Sequence, residues 1–354
     1  MNHNNPGWGS PFSRSEIDAA KQGHRLLSME LELSRECNLR CIYCYADSGE
    51  SLSDELSYEE IISVIDQSVK LGARKIVVLG GGEPLCYPRI IDVLTYLHAK
   101  NVEIELFTNG TLLTPDLART LWNLGVKPVI KMNSLRPDVQ DILAGKKNSH
   151  QDMRRGLALL MQAGYPDDNL PLGAQTVICR HNLDELPEMW IWLRERNIIP
   201  YFEILTLQGR ARRHPDLELG PQDLHTIFER LARIDAERFG YFWEPHPAVA
   251  AFCCDRHEYS CTVSVNGDIH PCPGVDIPAG NIRRTSLAEI LRTSSLIRDL
   301  RNIRTTIKGE CARCDLKAEC YGCRGMAYQA TGDYLAADPL CWRNGTGAPQ
   351  EGRL

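Results

Sequence analysis

The sequence lacks the features that would assign it to a membrane, a nucleic acid or the secretory route. No run of about 18 apolar residues occurs, so no segment has the length of a membrane-spanning helix. The amino terminus carries neither the basic nor the apolar region of a signal peptide. Charges of both signs are spread along the chain without a block of about five like charges, and the net charge is -6. We therefore expect a soluble cytoplasmic protein with no nucleic acid and no membrane as a partner.

Cysteine, by contrast, is abundant, with 14 in 354 residues. In a reducing cytosol so many thiols indicate metal ligands and not disulfides. All but two cysteines fall into three groups, at residues 37–44, 253–272 and 311–341. We interpret the two isolated ones, Cys86 and Cys179, as small buried hydrophobic residues.

Hydrophobic periodicity divides the chain into a regular and an irregular part. It predicts strands over residues 27–34, 75–79, 102–108, 126–133, 172–179 and 199–205, and helices over 57–70, 88–99, 114–123, 151–163 and 183–196. This alternation predicts an α/β fold whose parallel sheet is curved as an incomplete (βα)6 barrel. Beyond residue 209 we predict one helix over 221–238 and then a small α+β domain stapled by metal.

These patterns predict five segments along the chain, with no internal repeat. Residues 1–26 form a frayed arm, 27–209 the partial barrel and 210–249 a connector that contains a helix. Residues 250–345 form the small cysteine-rich domain, and 346–354 form a tail.

Three cysteines follow the first predicted strand directly, at Cys37, Cys41 and Cys44. Their loop lies at the carboxyl end of that strand, which is where parallel βα architectures place their sites. A zinc site would need a fourth Cys or His, and Cys86 is the one loop candidate. The C-x3-C-x2-C triplet resembles that of the radical S-adenosylmethionine enzymes, over about residues 27–209. In that family the triplet holds a [4Fe–4S] cluster, and S-adenosylmethionine binds the iron that lacks a cysteine.

The resemblance implies further contacts to S-adenosylmethionine along the strand ends. Tyr43 would pack beside the adenine, and the motif that contains Gly81, Gly82 and Glu83 would receive the methionine amino group. Ser134 and Arg155 stand where related enzymes contact the ribose and the carboxylate, although Arg155 also suits an ordinary surface arginine. Asn109 points to the same rim or belongs to a simple Asn-Gly turn. Glu203 and Gln208 are further rim candidates.

Residues 261–272 read as a β-hairpin with a two-residue Asn266-Gly267 turn. That turn predicts that residue 263 pairs with 270 and Cys261 with Cys272, so that both sulfur atoms project from one face. Such a pair suits two ligands of one cluster, and it also suits a disulfide. Asp268 and His270 would then either meet the substrate or face solvent.

The third group has the spacing C-x2-C-x5-C-x2-C, followed by a distant cysteine. Two CxxC pairs alone are also typical of a zinc ribbon. Together with the hairpin, the series resembles the SPASM extension of radical S-adenosylmethionine enzymes, which implies two auxiliary [4Fe–4S] clusters. One would be held by Cys254, Cys261, Cys272 and Cys323, and the other by Cys311, Cys314, Cys320 and Cys341. The last CxxC pair is one residue shorter than the family pattern, and Cys253 competes with Cys254.

The resemblance also implies the chemistry. Reductive cleavage of S-adenosylmethionine gives a 5′-deoxyadenosyl radical, which abstracts hydrogen from a substrate. We expect oxidative maturation of a peptide, a protein or an enzyme cofactor, such as that of a tungsten-pterin oxidoreductase, with ferredoxin or flavodoxin as electron donor. A sulfatase maturase is disfavoured because Pro273 stands where those enzymes have an Asp base. Only some 26 residues precede the first strand, so a peptide-recognition domain would be a separate protein.

Two other classes of protein remain open at this point. One is an iron–sulfur electron carrier or cluster scaffold without radical chemistry, and the other is a zinc-stabilised barrel protein. The glycine motif and the three-cysteine loop favour the radical enzyme over a carrier, because a carrier has no need of an incompletely ligated cluster.

Overall fold

A computed structural model of the protein describes residues 8, 12–245 and 254–344. Six parallel strands form most of its sheet, namely β1 Ser28–Glu32, β2 Lys75–Leu79, β3 Glu103–Thr108, β4 Val126–Lys131, β5 Gly173–Ile178 and β6 Ile199–Ile204. Three short strands follow, β7 Thr262–Val263, β8 Asp268–His270 and β9 Gly280–Asn281. The order across the sheet is β6-β5-β4-β3-β2-β1-β7-β8-β9. The predicted α/β fold with a parallel sheet is confirmed.

Within the described residues, six helices connect the parallel strands and cover one face of the sheet, and a further helix precedes β1. They are α1 Arg14–Gln22, α2 Tyr58–Lys70, α3 Ile90–Ala99, α4 Pro115–Asn123, α5 Pro137–Ala144, α6 Ser149–Ala163 and α7 Leu186–Arg194. The five helices predicted for this region lie within three residues of their expected bounds. Local signals explain this agreement, because Ser57 and Glu60 form a capping box at α2 and Thr114 caps α4. Of the described residues, no helix combines the length and the apolar character that crossing a bilayer requires.

The two faces of the sheet differ in polarity. Met29 and Leu31 of β1 are fully buried in the large apolar core beneath the helices. Glu30 and Glu32 alternate with them and therefore project from the opposite, concave face. The concave face of the sheet thus carries polar groups that a purely structural core would not need.

The amino-terminal arm is more ordered than expected. Residues Arg14–Gln22 form helix α1 with a Ser13–Glu16 capping box. The helix is held by Glu258, whose side chain is fully buried and accepts hydrogen bonds from Arg14 at 2.6 and 3.0 Å. The expectation of a frayed arm is wrong for this segment, because its anchor lies more than 200 residues away in the sequence.

Two further differences concern helices. Helix α5, which was not predicted, starts with Pro137 and ends at Gly145 in the left-handed conformation. The helix expected over 221–238 ends earlier, as α8 Pro221–Ile234, and a π-helical turn Asp235–Phe239 follows. That turn coincides with the fully buried Asp235, which accepts hydrogen bonds from Trp190 and Arg194.

The carboxy-terminal region consists of short elements. Besides β7 to β9 it contains α9 Leu287–Thr293, α10 Ser295–Arg301, α11 Ile303–Thr306, α12 Glu310–Arg313 and α13 Arg324–Thr331. Strand β7 pairs in parallel with β1, so the hairpin extends the sheet of the barrel.

The hairpin has a different register from the predicted one. Thr262 pairs with His270 and Val263 with Ile269. The Gly267 amide donates to the carbonyl of Ser264 at 2.9 Å, and Gly267 has a φ of 85°. The loop thus has three residues and ends in a left-handed glycine, and the predicted pairing of Cys261 with Cys272 is wrong.

Candidate active site

A cavity of about 300 Å³ lies between the strand ends of the barrel and the carboxy-terminal region. The loop cysteines Cys37, Cys41 and Cys44 line it, as do Tyr43, Gly81, Gly82, Glu83 and Asn109. The cavity is also lined by three cysteines of the carboxy-terminal region, Cys254, Cys272 and Cys323. The structure therefore brings two groups of thiols to one cavity.

The end of helix α5 shapes the first cysteine loop. The amide of Arg40 donates to the carbonyl of Ala144 at 3.1 Å, and that of Ile42 donates to Leu143 at 3.0 Å. A Cβ atom at Gly145 would lie 2.2 Å from the carbonyl oxygen of Arg40. Only glycine therefore allows the helix end to approach the loop this closely.

A second contact, from the segment after β6, fixes the other half of the loop. The Arg210 amide donates to the carbonyl of Cys44 at 2.8 Å, and its guanidinium donates to Cys41 at 3.0 Å and to Ser48 at 2.6 Å. Gly209 has a φ of 57°, and a Cβ atom there would lie 2.2 Å from the carbonyl of Tyr45. We call Gly209 and Arg210 the brace of the cysteine loop.

The loop thiols suit a metal cluster chemically. Burial raises the pKa of Cys41 to about 12, with a further contribution from Cys44, and burial also raises the pKa of Cys37. Thiolates at these positions need a compensating positive charge, which the irons of a cluster supply. All three cysteines are free of disulfides. In the chain segments that the structure describes, no three Cys, His, Asp or Glu side chains converge on a single-ion site.

The glycine motif is packed directly against the cysteine loop. A Cβ atom at Gly82 would lie 2.0 Å from the carbonyl oxygen of Glu36. The Glu83 carboxylate accepts hydrogen bonds from the Thr108 hydroxyl at 2.5 Å and from the Asn109 amide at 2.7 Å. Burial raises the pKa of Glu83, and these hydrogen bonds oppose the rise. Glu83 thus ties the ends of β2 and β3 together.

Asn109 continues this network towards the cysteines. Its side-chain amide donates to Asn38 Oδ1 at 2.9 Å, and Asn38 Nδ2 donates to the hydroxyl of Thr111 at 2.7 Å. Asn38 directly follows Cys37, so the network connects the cysteine loop with the ends of two strands. Asn109 therefore does more than form a turn.

Of the other residues predicted to contact S-adenosylmethionine, some line the cavity and others do not. The hydroxyl of buried Tyr43 accepts a hydrogen bond from Asn133 Nδ2 at 2.6 Å. Ser134 is buried and donates to Glu185, and it is not among the residues that line the cavity. The Arg155 side chain is 56% exposed and pairs with Asp152 at 2.9 Å, also outside that lining. Glu203 and Gln208 do line the cavity.

Sequence reasoning missed several charged residues on the concave wall. Arg256 pairs with Glu30 at 2.5 Å, and both line the cavity. Lys131 Nζ, also in the lining, lies 3.8 Å from Glu203 Oε1. Alternation within the first predicted strand would have found Glu30, since an acidic residue at an inward position of a sheet is unusual.

The remaining cysteines of the carboxy-terminal region divide between two environments. One environment holds four partly buried cysteines, Cys311, Cys314, Cys320 and Cys341. In the same region the fully buried Arg324 donates to the carbonyls of Tyr334 and Ala336 at 3.1 and 2.6 Å. Cys261 is only 1% exposed and lies in the main apolar core. It is not in the cavity lining. Cys253 lies outside the described residues.

Two family models match the chain, that of the radical SAM superfamily over residues 31–189 and that of the SPASM iron–sulfur cluster-binding domain over residues 253–315. The chain therefore belongs to the radical SAM superfamily and carries a SPASM domain. Proteins of this class bind a [4Fe–4S] cluster and S-adenosylmethionine, and the SPASM domain binds iron–sulfur clusters.

Among curated proteins, the AdoMet-dependent heme synthase of Methanosarcina barkeri is 29% identical over 88% of this chain and 94% of its own length. The mycofactocin maturase MftC of Mycolicibacterium smegmatis is 27% identical over 90% of this chain and 83% of its own. The tungsten-containing aldehyde ferredoxin oxidoreductase cofactor-modifying protein of Pyrococcus furiosus is 28% identical over 45% of this chain and 46% of its own.

Solved structures show the same fold. Streptococcus suis SuiB bound to S-adenosylmethionine superposes with a TM-score of 0.70 at 16% identity, covering 93% of this chain and 81% of SuiB. The anSMEcpe structure with bound AdoMet and a peptide gives a TM-score of 0.66 at 15% identity, covering 88% and 93%. At such identities the likeness shows the fold alone.

Proposed function

We propose that this protein is a radical S-adenosylmethionine enzyme that abstracts hydrogen from a substrate bound in the cavity and oxidatively matures a peptide, a protein or an enzyme cofactor. The observation that carries the proposal is the shared cavity, which three cysteines of the barrel loop and three cysteines of the SPASM region line together. A substrate in this cavity lies within reach of both cysteine groups. We further propose residues 27–209 as the barrel and 250–345 as the SPASM domain.

When bound, a [4Fe–4S] cluster and S-adenosylmethionine supply one-electron cleavage of the sulfonium and hence the hydrogen-abstracting radical. The chain holds the reactants in place and keeps water away from them. Cys37, Cys41 and Cys44 hold the cluster, and the backbone of Gly81 and Gly82 offers acceptors for the methionine amino group. Tyr43 adjoins the adenine. The buried walls exclude solvent and with it the dissolved thiols and reductants that would quench a radical.

Lys131 and Asn109 are the polar groups of the cavity that suit the anionic and ribose parts of S-adenosylmethionine. Lys131 lies in the cavity lining at the end of β4, three residues before Ser134. Its charge lowers the pKa of Cys41, although burial has the larger, opposite effect. Contacts from Ser134 and Arg155 stay predictions.

The SPASM region holds, on this proposal, two auxiliary clusters that exchange electrons with the substrate radical. The number of cysteines supports this assignment. The relatives favour a cofactor as substrate, since their names include two kinds of porphyrin synthase and a cofactor-modifying protein. A peptide is the second candidate, because SuiB has been solved with its precursor peptide.

The first experiment measures iron and S-adenosylmethionine cleavage in anaerobically reconstituted protein. We expect about twelve irons per chain, four for each of three clusters, and 5′-deoxyadenosine formation under reductant. The matched control replaces Cys37, Cys41 and Cys44 by Ala, which removes about four irons and abolishes that product. Iron-loaded wild-type protein that forms no 5′-deoxyadenosine would instead identify an iron–sulfur carrier or scaffold.

The second experiment identifies the substrate class. Iron-coproporphyrin III and short peptides encoded by neighbouring reading frames are supplied in deuterated form. The true substrate transfers deuterium into 5′-deoxyadenosine, whereas a bystander does not. Transfer from neither would exclude iron-coproporphyrin III and these peptides as substrates.

A further inference from the structure

We propose that Glu32 and Tyr45 are positioning residues for S-adenosylmethionine. They hold the first carbonyl of the glycine motif, that of Gly80, so that the next two glycines present theirs to the methionine amino group. Neither residue touches the reacting atoms, because both act through the glycine motif. This inference rests on the proposed function, since it presupposes S-adenosylmethionine as the ligand of that motif.

The Tyr45 hydroxyl connects the cysteine loop with the glycine motif. Tyr45 directly follows Cys44, and its hydroxyl donates to the carbonyl of Gly80. Tyr45 and all three glycines of the motif line the cavity. In the part of the chain that the structure describes, no backbone amide donates to the carbonyls of Gly81 and Gly82. The first carbonyl is therefore engaged within the protein, and the backbone leaves the next two for a ligand.

Glu32 supports the Tyr45 hydroxyl from behind the cavity wall. Its Oε1 lies 2.7 Å from that hydroxyl, and the residue is only 5% exposed and outside the cavity lining. A tyrosine hydroxyl has one proton and here faces two oxygen atoms, so a proton on Glu32 completes the chain. Burial raises the pKa of Glu32 more than the hydroxyl lowers it, which favours the protonated carboxyl. Glu32 then donates to Tyr45, and Tyr45 donates to Gly80.

Close packing holds the second glycine of the motif. A Cβ atom at Gly81 would lie 3.1 Å from Glu32 Oε2 and 2.8 Å from Cγ1 of Val265 in the SPASM hairpin. Glu32 thus bonds the Tyr45 hydroxyl with one oxygen and packs against Gly81 with the other. Glycine has the widest backbone freedom of all residues, and fixing it before the ligand arrives lowers the cost of binding.

A second buried tyrosine makes the same kind of bond away from the cavity. The Tyr165 hydroxyl donates to the carbonyl of Val126 at 2.6 Å, and Tyr165 is 2% exposed and outside the cavity lining. Tyr165→Phe is therefore the matched control for Tyr45→Phe. Both variants lose one buried hydroxyl and one bond to a backbone carbonyl, but only Tyr45→Phe loses them at the glycine motif.

The test measures S-adenosylmethionine cleavage by the reconstituted full-length protein. We expect Tyr45→Phe to raise the half-saturating concentration about tenfold and to change the maximal rate of 5′-deoxyadenosine formation by less than about twofold. Tyr165→Phe should change both by less than about twofold. Glu32→Gln keeps an N–H donor for the Tyr45 oxygen and should stay within about threefold of wild type, whereas Glu32→Met should resemble Tyr45→Phe.

Hydrogen exchange provides a readout that does not depend on activity. In iron-loaded protein without S-adenosylmethionine, the amides of residues 80–83 should exchange faster in Tyr45→Phe than in Tyr165→Phe. Equal exchange and equal half-saturation in these two variants would overturn the proposal. Loss of iron from the cysteine loop in Tyr45→Phe alone would also overturn it, because Tyr45 would then serve the loop and not the glycine motif. Wild-type protein that forms no 5′-deoxyadenosine would refute the proposed function itself.

Discussion

The two cysteine-bearing regions of this molecule are supported in different ways. The loop at Cys37–Cys44 follows β1 in a sheet whose parallel strands have five or six residues. Backbone contacts from α5 and from the brace fix its shape. The SPASM region has strands of two or three residues and several helices of four to eight. Its own apolar cluster is small and itself includes cysteines. We therefore expect the first region to keep its shape without metal and the second to depend on its metal.

The largest expected effect follows from removing the metal. In protein stripped of iron by an anaerobic chelator, we expect the amides of residues 309–341 to exchange at least about a hundredfold faster, equivalent to about 2.7 kcal/mol. Amides of β1 to β6 should change by less than about threefold. Hydrogen exchange with mass spectrometry measures both. Equal losses of protection in the two regions would contradict the comparison.

The brace provides the next test. In Gly209→Ala the added methyl meets the carbonyls of Tyr45 and Cys44, so we expect about 1–3 kcal/mol lower stability and loss of the loop cluster. Gly240→Ala is the matched control, because Gly240 has a φ of 71° but no atom within 4 Å of the added group. Denaturant unfolding and iron content are measured on both. Similar iron loss in the control would show that backbone strain alone, and not the brace, matters.

Glu258 connects the amino-terminal arm with the SPASM region, and its substitution should have the next largest effect on stability. It accepts hydrogen bonds from Arg14 and Arg304, and Lys21 lies 3.7 Å away. Glu258→Gln leaves these cations without their carboxylate. We expect the stability at neutral pH to fall by about 3 kcal/mol. This value is at the lower end for a broken buried ion pair, because the Arg14 side chain is half exposed. Glu310→Gln, an exposed pair with Arg313, should change stability by less than about 0.5 kcal/mol.

The effect of Glu258 also depends on pH. Burial alone would raise the pKa of Glu258, but Arg14, Arg304 and Lys21 together lower it below its usual value. A carboxyl with a lowered pKa stabilises the fold above its ordinary pKa and loses that contribution as the pH falls through its folded value. The difference between wild type and Glu258→Gln should therefore shrink in acid. A difference that stays constant from pH 7 to about pH 3 would contradict this account.

The smallest effect compares two candidate cations for binding S-adenosylmethionine, Lys131 inside the cavity lining and Arg155 outside it. Arg155→Gln removes an exposed ion pair and should change stability by less than about 0.5 kcal/mol and half-saturation by S-adenosylmethionine by less than about twofold. Lys131→Gln removes a cation of the cavity wall and should weaken half-saturation about tenfold, or 1.4 kcal/mol. The opposite order would favour Arg155, as the family resemblance implies.

The sequence predicted the barrel well because local signals agreed with the tertiary fold there. Alternating apolar strands, the Ser57 capping box and the Thr114 cap each act within a few residues. The arm helix escaped prediction because Glu258, which holds it, is remote. The charged cavity wall formed by Glu30, Lys131 and Arg256 exists only once distant strands are side by side.

The hairpin shows a local signal that was misleading. An Asn-Gly pair favours a two-residue turn, yet the Ser264 hydroxyl donates to Asn266 Oδ1 at 2.7 Å and holds Asn266 inside a wider turn. Gly267 then supplies the left-handed residue. Because the loop has one residue more than predicted, Cys261 lies opposite Pro271 instead of Cys272. No pattern in the sequence indicates this extra loop residue.

The approach of Gly145 and Gly209 to the cysteine loop has a consequence for biosynthesis. The ribosome makes Cys37, Cys41 and Cys44 more than 160 residues before Arg210, which holds the carbonyls of Cys41 and Cys44. During translation these three thiols emerge without the partners that shape their loop. We therefore expect cluster insertion to follow completion of the barrel, because a nascent chain halted before residue 209 lacks the contacts that shape the site.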